Sequence, residues 1–239
     1  MSTPPTLIVA LDVPGAREAM SLRRSLDGLV DTFKVGSELF ASAGPSIVEE
    51  LTGSGARIFL DLKFHDIPNT VGRAVSAACR MGVSLLDVHA SGGKAMMVAA
   101  ANAARAGDAG EGPPPLVFAV TVLTHLADED LSDIGYSSTC REQVVRLARL
   151  ARESGLDGVV ASAEEVAVIR EATEDRLAIL VPGIRPNWAK AAHDQKRVAT
   201  PAEVARAGAR YVVVGRAITA QEDPRQAASR VLDELTSAV

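Results

Sequence analysis

Eight short apolar runs, each followed by a loop and in most cases by a recognisable helix start, constrain the fold of this chain more than any other feature. The runs lack a clean alternation of apolar and polar residues, which is typical of parallel strands covered by helices. Eight such units predict one α/β domain, a TIM (β/α)8 barrel spanning residues 1–239. A six-stranded doubly wound sheet is the alternative, but the number of units argues against it. The predicted strands are Thr6–Leu11, Thr32–Val35, Arg57–Leu62, Leu85–His89, Leu116–Leu123, Gly158–Ala161, Ala178–Val181 and Tyr211–Val214.

Helix boundaries are marked by short local motifs. Three segments match the S/T-x-x-E capping box, in which a hydroxyl and a glutamate satisfy the first N–H groups of a helix. Two glycines fall where helices should end. The capping boxes begin at Thr139, Ser162 and Thr200, and the glycines are Gly155 and Gly208.

Composition excludes several functional classes. The net charge is −5 and no basic block is present, which argues against binding to nucleic acid or to an anionic membrane. No apolar run approaches the ~20 residues that span a bilayer, and no secretory signal pattern opens the chain, so we expect a cytoplasmic protein. Cys79 and Cys140 have no metal-ligand or C-x-x-C spacing, and Cys79 belongs to an apolar helical stripe that predicts core packing.

The segment Asp61-Leu62-Lys63 lies at the carboxyl end of the third predicted strand. Because successive strand side chains alternate between faces, Asp61 and Lys63 share one face. Opposite charges at the end of an apolar strand are costly to bury unless they are paired. A structural salt bridge is one interpretation, but the charges sit where a strand becomes a loop, which is where ligands bind in α/β proteins.

Other strand ends also carry polar residues. In a (β/α)8 barrel the catalytic groups lie at the carboxyl ends of the strands. Each residue alone could be a cap, a turn residue or a solvated charge, but their repeated occurrence at one end of the barrel predicts a functional site. These residues are Asp12, Lys34, His89, Thr124, Pro182, Arg185, Gly215 and Arg216.

The last two loops predict a phosphate site. Barrels of this kind often hold phosphate after strands seven and eight, where Gly215 allows a close backbone approach and Arg216 adds a cation. The loop Gly183–Arg197 is longer than usual and carries Arg185 and Gln195, so we interpret it as a lid over a small phosphate ester.

These residues resemble the orotidine 5′-phosphate decarboxylase family nearly end to end. The D-x-K-x-x-D-I-P-N-T segment is highly specific, whereas D-x-K-x-x-D alone is shared with related sugar-phosphate enzymes. His125, after Thr124, departs from the Ser that is usual in bacterial members. The matching segments are Ala10–Pro14, Lys34–Phe40, Asp61–Val71, Val88–Gly93, Pro182–Pro186, Asp194–Arg197 and Gly215-Arg216.

The resemblance implies cofactor-independent and metal-independent decarboxylation of orotidine 5′-phosphate to uridine 5′-phosphate, the last step of UMP synthesis. It implies that Lys63 is the proton donor and that Asp61 lies against the substrate carboxylate. Lys34 and Asp66 would complete an alternating network of charges. Asp66 and Thr70 would come from the other subunit of a homodimer.

The resemblance also implies the substrate contacts. Asp12 would hold the ribose hydroxyls with Lys34 and Thr70, and Thr124 and Pro182 would flank the pyrimidine. The phosphate would be held by Arg185, Gln195, Gly215 and Arg216.

Two alternatives remain open from the sequence. One is a magnesium-dependent keto-sugar-phosphate decarboxylase or aldolase on the same barrel, in which a glutamate on strand two helps to hold the metal where this chain has Lys34. The other is a barrel that only binds a nucleotide or a phosphosugar.

Overall fold

The computed structural model describes residues 3–107, 112–189 and 199–239. Eight parallel strands pair in chain order, and the last pairs with the first, so the sheet closes into a barrel. The predicted TIM barrel is therefore confirmed, and the open doubly wound sheet is excluded. The strands are β1 (Thr6–Ala10), β2 (Thr32–Gly36), β3 (Arg57–Phe64), β4 (Leu85–His89), β5 (Leu116–Val120), β6 (Gly158–Val160), β7 (Ala178–Val181) and β8 (Tyr211–Val214).

Five of the strands end at a different residue from the predicted one. β1 and β6 are one residue shorter, and β5 stops at Val120 although apolar residues continue to Leu123. The apolar run extends beyond the end of the strand because Val122 and Leu123, in the loop that follows, pack in the core. β2 gains one residue, and β3 continues through Lys63 to Phe64.

Helices follow the strands around the outside of the barrel, with short 3₁₀ helices at Ala90–Gly92 and Ala163–Glu165. The α-helices are α1 (Ala16–Ser25), α2 (Ser37–Ala43), α3 (Pro45–Gly53), α4 (Pro68–Arg80), α5 (Lys94–Ala106), α6 (Asp128–Asp133), α7 (Cys140–Glu153), α8 (Val166–Ala172), α9 (Pro201–Ala207), α10 (Arg216–Thr219) and α11 (Pro224–Thr236). Within the described ranges, no helix is both long enough and apolar enough to cross a membrane.

The predicted helix boundaries are confirmed. Thr139 and Thr200 each accept a hydrogen bond from the backbone N–H three residues on, at 3.3 Å. The capping box that begins at Ser162 opens the 3₁₀ turn before α8 rather than α8 itself. Gly155 and Gly208 lie just beyond α7 and α9 with φ of 75° and 90°, a left-handed conformation that glycine adopts without strain.

The core has two parts, because strand side chains alternate between the inside and the outside of the barrel. The outer part joins strand residues such as Val9 and Leu60 to the inner faces of the helices, and it includes Cys79 as predicted. The inner part fills the barrel, where Phe118 and Tyr211 pack edge to face with ring centroids 5.6 Å apart. Its buried members are Ile8, Ala10, Phe59, Leu85, Phe118, Val120, Val160, Leu180, Tyr211 and Val213.

The inner side chains change character towards the carboxyl ends of the strands. Phe59 and Leu85 belong to the apolar interior. Two residues further along the same strands, Asp61 and Asp87 occupy the next positions on the same face. The inside of the barrel is therefore divided into an apolar layer, formed by the ten residues just given, and a charged layer at the carboxyl end.

Candidate active site

Four charged side chains form an alternating chain in the charged layer, one from the loop after β1, one from β2 and two from β3. Lys34 Nζ lies 2.8 Å from Asp12 Oδ1 and 3.3 Å from Asp61 Oδ2. Lys63 Nζ contacts the other oxygen of Asp61, Oδ1. The order Asp12–Lys34–Asp61–Lys63 thus alternates negative and positive charges across the mouth of the barrel, and the predicted pairing of Asp61 with Lys63 is present.

Strand register brings these residues together. Ala10 pairs with Lys34, which sets Asp12 beside the end of β2, and Gly36 pairs with Asp61. Gly36 leaves space for the ion pairs, since a Cβ there would lie 2.6 Å from Lys34 Nζ and 3.2 Å from Asp12 Oδ1. The absence of a side chain at Gly36 therefore helps to build the site.

Burial and pairing act in opposite directions on the two central charges. Burial alone would lower the pKa of Lys34, but the attraction of Asp61 and Asp12 outweighs it and raises that pKa. Burial likewise opposes ionisation of Asp61, but Lys34 and Lys63 hold its pKa below the usual range. Both groups are therefore charged at neutral pH, although Lys34 is only 8% exposed.

The backbone at Lys63 departs from a regular strand. Leu60 pairs with Leu86 and Phe64 with Val88, so three residues of β3 face the single residue Asp87 of β4. Lys63 lies in this bulge with φ of 50°, a left-handed conformation that non-glycine residues rarely adopt. Simple strand alternation predicts the shared face of Asp61 and Lys63 but not this bulge.

Asp87 is a residue of the site that the sequence analysis did not predict. Its side chain is buried inside the barrel, and its Oδ1 accepts a hydrogen bond from the backbone N–H of Lys63 at 2.8 Å. Burial and the nearby Asp61 carboxylate raise the pKa of Asp87 well above its ordinary value. The sequence feature that could have predicted this role is an acidic residue among the apolar residues Leu85, Leu86 and Val88 of a strand.

Two histidines lie next to the charged layer. The ring centres of His65 and His89 are 5.2 Å apart, with His65 exposed and His89 half-buried at the end of β4. Burial, followed by the charges of His65 and Lys63, lowers the pKa of His89. His89 is therefore neutral at neutral pH.

Asp66 and Thr70 do not join the alternating chain of charges in the described residues. Both are exposed at the start of α4. Asp66 Oδ1 accepts a hydrogen bond from the N–H of Ile67 at 2.6 Å, and within the described ranges Asp66 has no ion pair. Their assignment to a partner's site remains a prediction.

The predicted phosphate residues lie around the same mouth of the barrel. Gly215 precedes α10 close to Asp12, since a Cβ at Gly215 would lie 4.0 Å from Asp12 Oδ2. Arg216 is exposed, and Arg185, Pro182 and Thr124 are half-buried after β7 and β5. Gln195 lies outside the described residues, as does most of the predicted lid.

The described stem of that loop is attached to the last helix. Trp188 donates its indole N–H to Glu234 Oε1 at 2.7 Å, and the guanidinium carbon of Arg230 lies 4.1 Å from the centre of the indole ring. Both partners belong to α11. The chain after Arg185 is therefore packed against the barrel wall as far as Trp188.

Comparison with known proteins identifies the family. Residues 5–231 match the model of the orotidine 5′-phosphate decarboxylase / HUMPS family. The chain belongs to this family. An orotidine 5′-phosphate decarboxylase from Syntrophotalea carbinolica is 49% identical over 98% of this chain and 96% of its own length. Another, from Moorella thermoacetica, is 50% identical over 96% of this chain and 91% of its own.

Solved structures agree with the sequence matches. The crystal structure of orotidine 5′-phosphate decarboxylase from Lactobacillus acidophilus superposes with a TM-score of 0.84 at 37% identity, covering 98% of this chain and 99% of that chain. The enzyme from Pyrococcus horikoshii superposes with a TM-score of 0.77 at 25% identity, covering 97% and 99%. The family predicted from the motifs is confirmed.

Proposed function

We propose that this protein decarboxylates orotidine 5′-phosphate to uridine 5′-phosphate without a metal or a cofactor. The class of enzyme, a carboxy-lyase of pyrimidine biosynthesis, is confirmed by the family and by the curated relatives. The observation that carries the specific reaction is the alternating chain Asp12–Lys34–Asp61–Lys63 at the mouth of the barrel. Its charges are suited to a reaction that removes an anionic group and leaves negative charge on carbon.

Asp61 destabilises the substrate carboxylate. Its low pKa keeps it ionised even though it is largely buried. Two like charges ~4 Å apart repel by ~4 kcal/mol at an effective dielectric of ~20, which corresponds to roughly three decades in rate. This repulsion disappears as neutral carbon dioxide leaves, so it accelerates the step without hindering release of the product.

Lys63 supplies the proton. When the bond between C6 and the carboxylate breaks, the electron pair stays on C6, and the ammonium stabilises it before transferring a proton to that carbon. The neutral amine then regains a proton from solvent, which reaches the partly exposed Lys63 side chain. Asp61, in contact with Lys63 Nζ, holds the ammonium in place.

Binding groups surround this centre. We assign the ribose hydroxyls to Asp12, with Lys34 and Thr70, and the pyrimidine to the region between Thr124 and Pro182. The phosphate is assigned to Arg185, Gln195, Gly215 and Arg216. Phosphate contacts far from C6 provide binding energy that can be used to hold the reactive geometry.

A homodimer would complete the site. Asp66 and Thr70 are exposed beside Ile67, an apolar side chain that is 66% exposed, so this end of α4 is available to a second subunit. Asp66 would then extend the alternating charges from across the boundary. We place the protein in the cytoplasm and assign no nucleic-acid partner.

The magnesium-dependent alternative needs a direct test, because related sugar-phosphate enzymes share the D-x-K-x-x-D motif of residues 61–66. The ammonium of Lys34 lies between two carboxylates, so it offsets part of their negative charge and repels a divalent cation. Turnover is therefore expected to persist in excess EDTA. Complete loss on chelation, restored by magnesium, would favour the alternative.

The loss of orotidine 5′-phosphate absorbance provides the decisive assay. Turnover is expected with the purified protein alone. A barrel that only binds nucleotides would bind uridine 5′-phosphate without any turnover. That result, obtained with protein shown to be folded, would overturn the proposal.

A further inference from the structure

Asp87 lies in the charged layer but outside the alternating chain of ion pairs. It is 1% exposed, and its Oδ1 accepts the N–H of Lys63 at 2.8 Å. Its other oxygen, Oδ2, is buried with no hydrogen-bond partner in the part of the chain that the structure describes. A buried carboxyl in an apolar strand is costly, so its presence calls for a role.

The backbone N–H of Lys63 explains why a carboxyl group is buried at this position. In the β3 bulge, three residues face Asp87 alone, so the regular ladder offers no carbonyl to the N–H of Lys63. A backbone N–H that is partly shielded from water needs an acceptor, and the left-handed φ of 50° at Lys63 needs support from its surroundings. The Asp87 carboxyl meets both needs from the neighbouring strand.

We propose that Asp87 is a positioning residue that fixes the bulge of β3 through the N–H of Lys63 and thereby directs the Lys63 ammonium at Asp61 and at the reacting carbon. Asp87 does not touch the reacting atoms in this proposal. It acts through the backbone conformation of the proton donor.

The charge state of Asp87 is compatible with this role. Burial and the Asp61 carboxylate raise its pKa, whereas Lys63 acts in the opposite direction. Asp61 and Lys63 are the charged groups that face it. A raised pKa favours the neutral acid, in which one oxygen still accepts the N–H of Lys63. The neutral form adds no further negative charge beside Asp61.

Three variants separate positioning from general stability. Asp87→Leu removes the acceptor, and Asp87→Asn retains an acceptor oxygen at nearly the same size. Val159→Ala removes buried apolar volume from β6, away from Lys63, and is the matched control for lost stability. For each variant we would measure kcat and KM for orotidine 5′-phosphate together with the melting temperature.

We expect Asp87→Leu to lower kcat by about 10–100-fold, the scale expected when a catalytic group is misplaced by ~1 Å. KM should stay within about threefold, because the phosphate and ribose contacts are untouched. Asp87→Asn should recover most of kcat. Val159→Ala should lower the melting temperature while leaving kcat near the wild-type value.

An unchanged kcat in Asp87→Leu would overturn the inference, and so would an equal loss in Asp87→Leu and Asp87→Asn. If Asp87→Leu does not fold, Asp87→Ala is the second variant, and its crystal structure reports φ of Lys63. A Lys63 that keeps its left-handed φ and full kcat there would also overturn it. The inference depends on the proposed function, but failure of that function would appear as absent wild-type turnover.

Discussion

The two layers inside the barrel are built from the same strands and differ in what holds them together. Phe59 and Leu85 fill the apolar layer, and two residues later Asp61 and Asp87 belong to the charged layer. The apolar layer is stabilised by buried area and contains few groups that titrate. In the charged layer each buried charge depends on its neighbour, so removal of one leaves another uncompensated. The residues of the apolar layer therefore maintain the barrel, whereas those of the charged layer are available for chemistry.

The largest expected effect on rate comes from the charged layer. Lys63→Ala removes the proton source, so kcat should fall by at least ~10³-fold. The melting temperature should change little, because the Lys63 side chain is partly exposed and Asp61 keeps its ion pair with Lys34. Absorbance assays and thermal melts measure both. Lys94→Ala, which breaks an exposed pair with Glu153, is the control and should leave kcat unchanged. Near-normal turnover of Lys63→Ala would show that another group donates the proton to C6.

The apolar layer should behave in the opposite way. Phe118→Ala removes a fully buried ring that packs on Tyr211, so the free energy of unfolding should fall by about 3–5 kcal/mol. The kcat of the protein that remains folded should change little. Urea unfolding and the absorbance assay on one preparation test the two parts. A large loss of kcat without a loss of stability would show that the apolar layer contributes to catalysis.

A third prediction extends the charged layer across a subunit boundary. If Asp66 serves the partner's site, mixing inactive Lys63→Ala with inactive Asp66→Ala should restore activity, because each heterodimer contains one site with neither lesion. Random pairing makes about half of the dimers mixed, which gives up to roughly a quarter of wild-type activity. Mass spectrometry verifies the exchange. Complete exchange without recovered activity would place Asp66 in its own subunit's site.

The phosphate side of the mouth should affect binding more than chemistry. Arg216→Ala removes a proposed phosphate cation and should mainly raise KM, with a smaller loss of kcat because phosphate binding helps to hold the reactive geometry. Steady-state kinetics at several substrate concentrations separate the two effects. The exposed Arg17, on α1, provides a matched control when changed to Ala. An unchanged KM would place the phosphate elsewhere.

The smallest effect concerns the dependence of stability on pH. The folded-state pKa of Asp87 is raised above its ordinary value of 3.8. As pH rises, the unfolded chain therefore loses the carboxyl proton of Asp87 at a lower pH than the folded protein does. The contribution of Asp87 is therefore present below the unfolded pKa and is lost as pH rises towards the folded pKa. Asp87→Asn lacks this loss, so its melting temperature relative to wild type should be higher at pH 7 than at pH 4. A difference that does not depend on pH would mean that folding does not raise the pKa of Asp87.

Much of the molecule could be predicted from local patterns. Apolar runs, capping boxes and terminal glycines identify the strand–helix units because each reflects an interaction within a few residues along the chain. Asp12, Lys34, Asp61 and Lys63 could be assigned to one site because parallel strands in a barrel end at the same face. The family motif then identified the reaction class.

Tertiary structure decided the features that depend on two strands at once. Asp87 follows the apolar residues Leu85 and Leu86 and precedes Val88, so nothing nearby in the chain reveals that its partner is the N–H of Lys63, which lies 24 residues earlier. The bulge in β3 is a mismatch of register between neighbouring strands, and neither strand shows it alone. Sequence determines which groups can be charged or buried, whereas the closed barrel decides which of them meet, because only packing brings distant residues within a few ångströms.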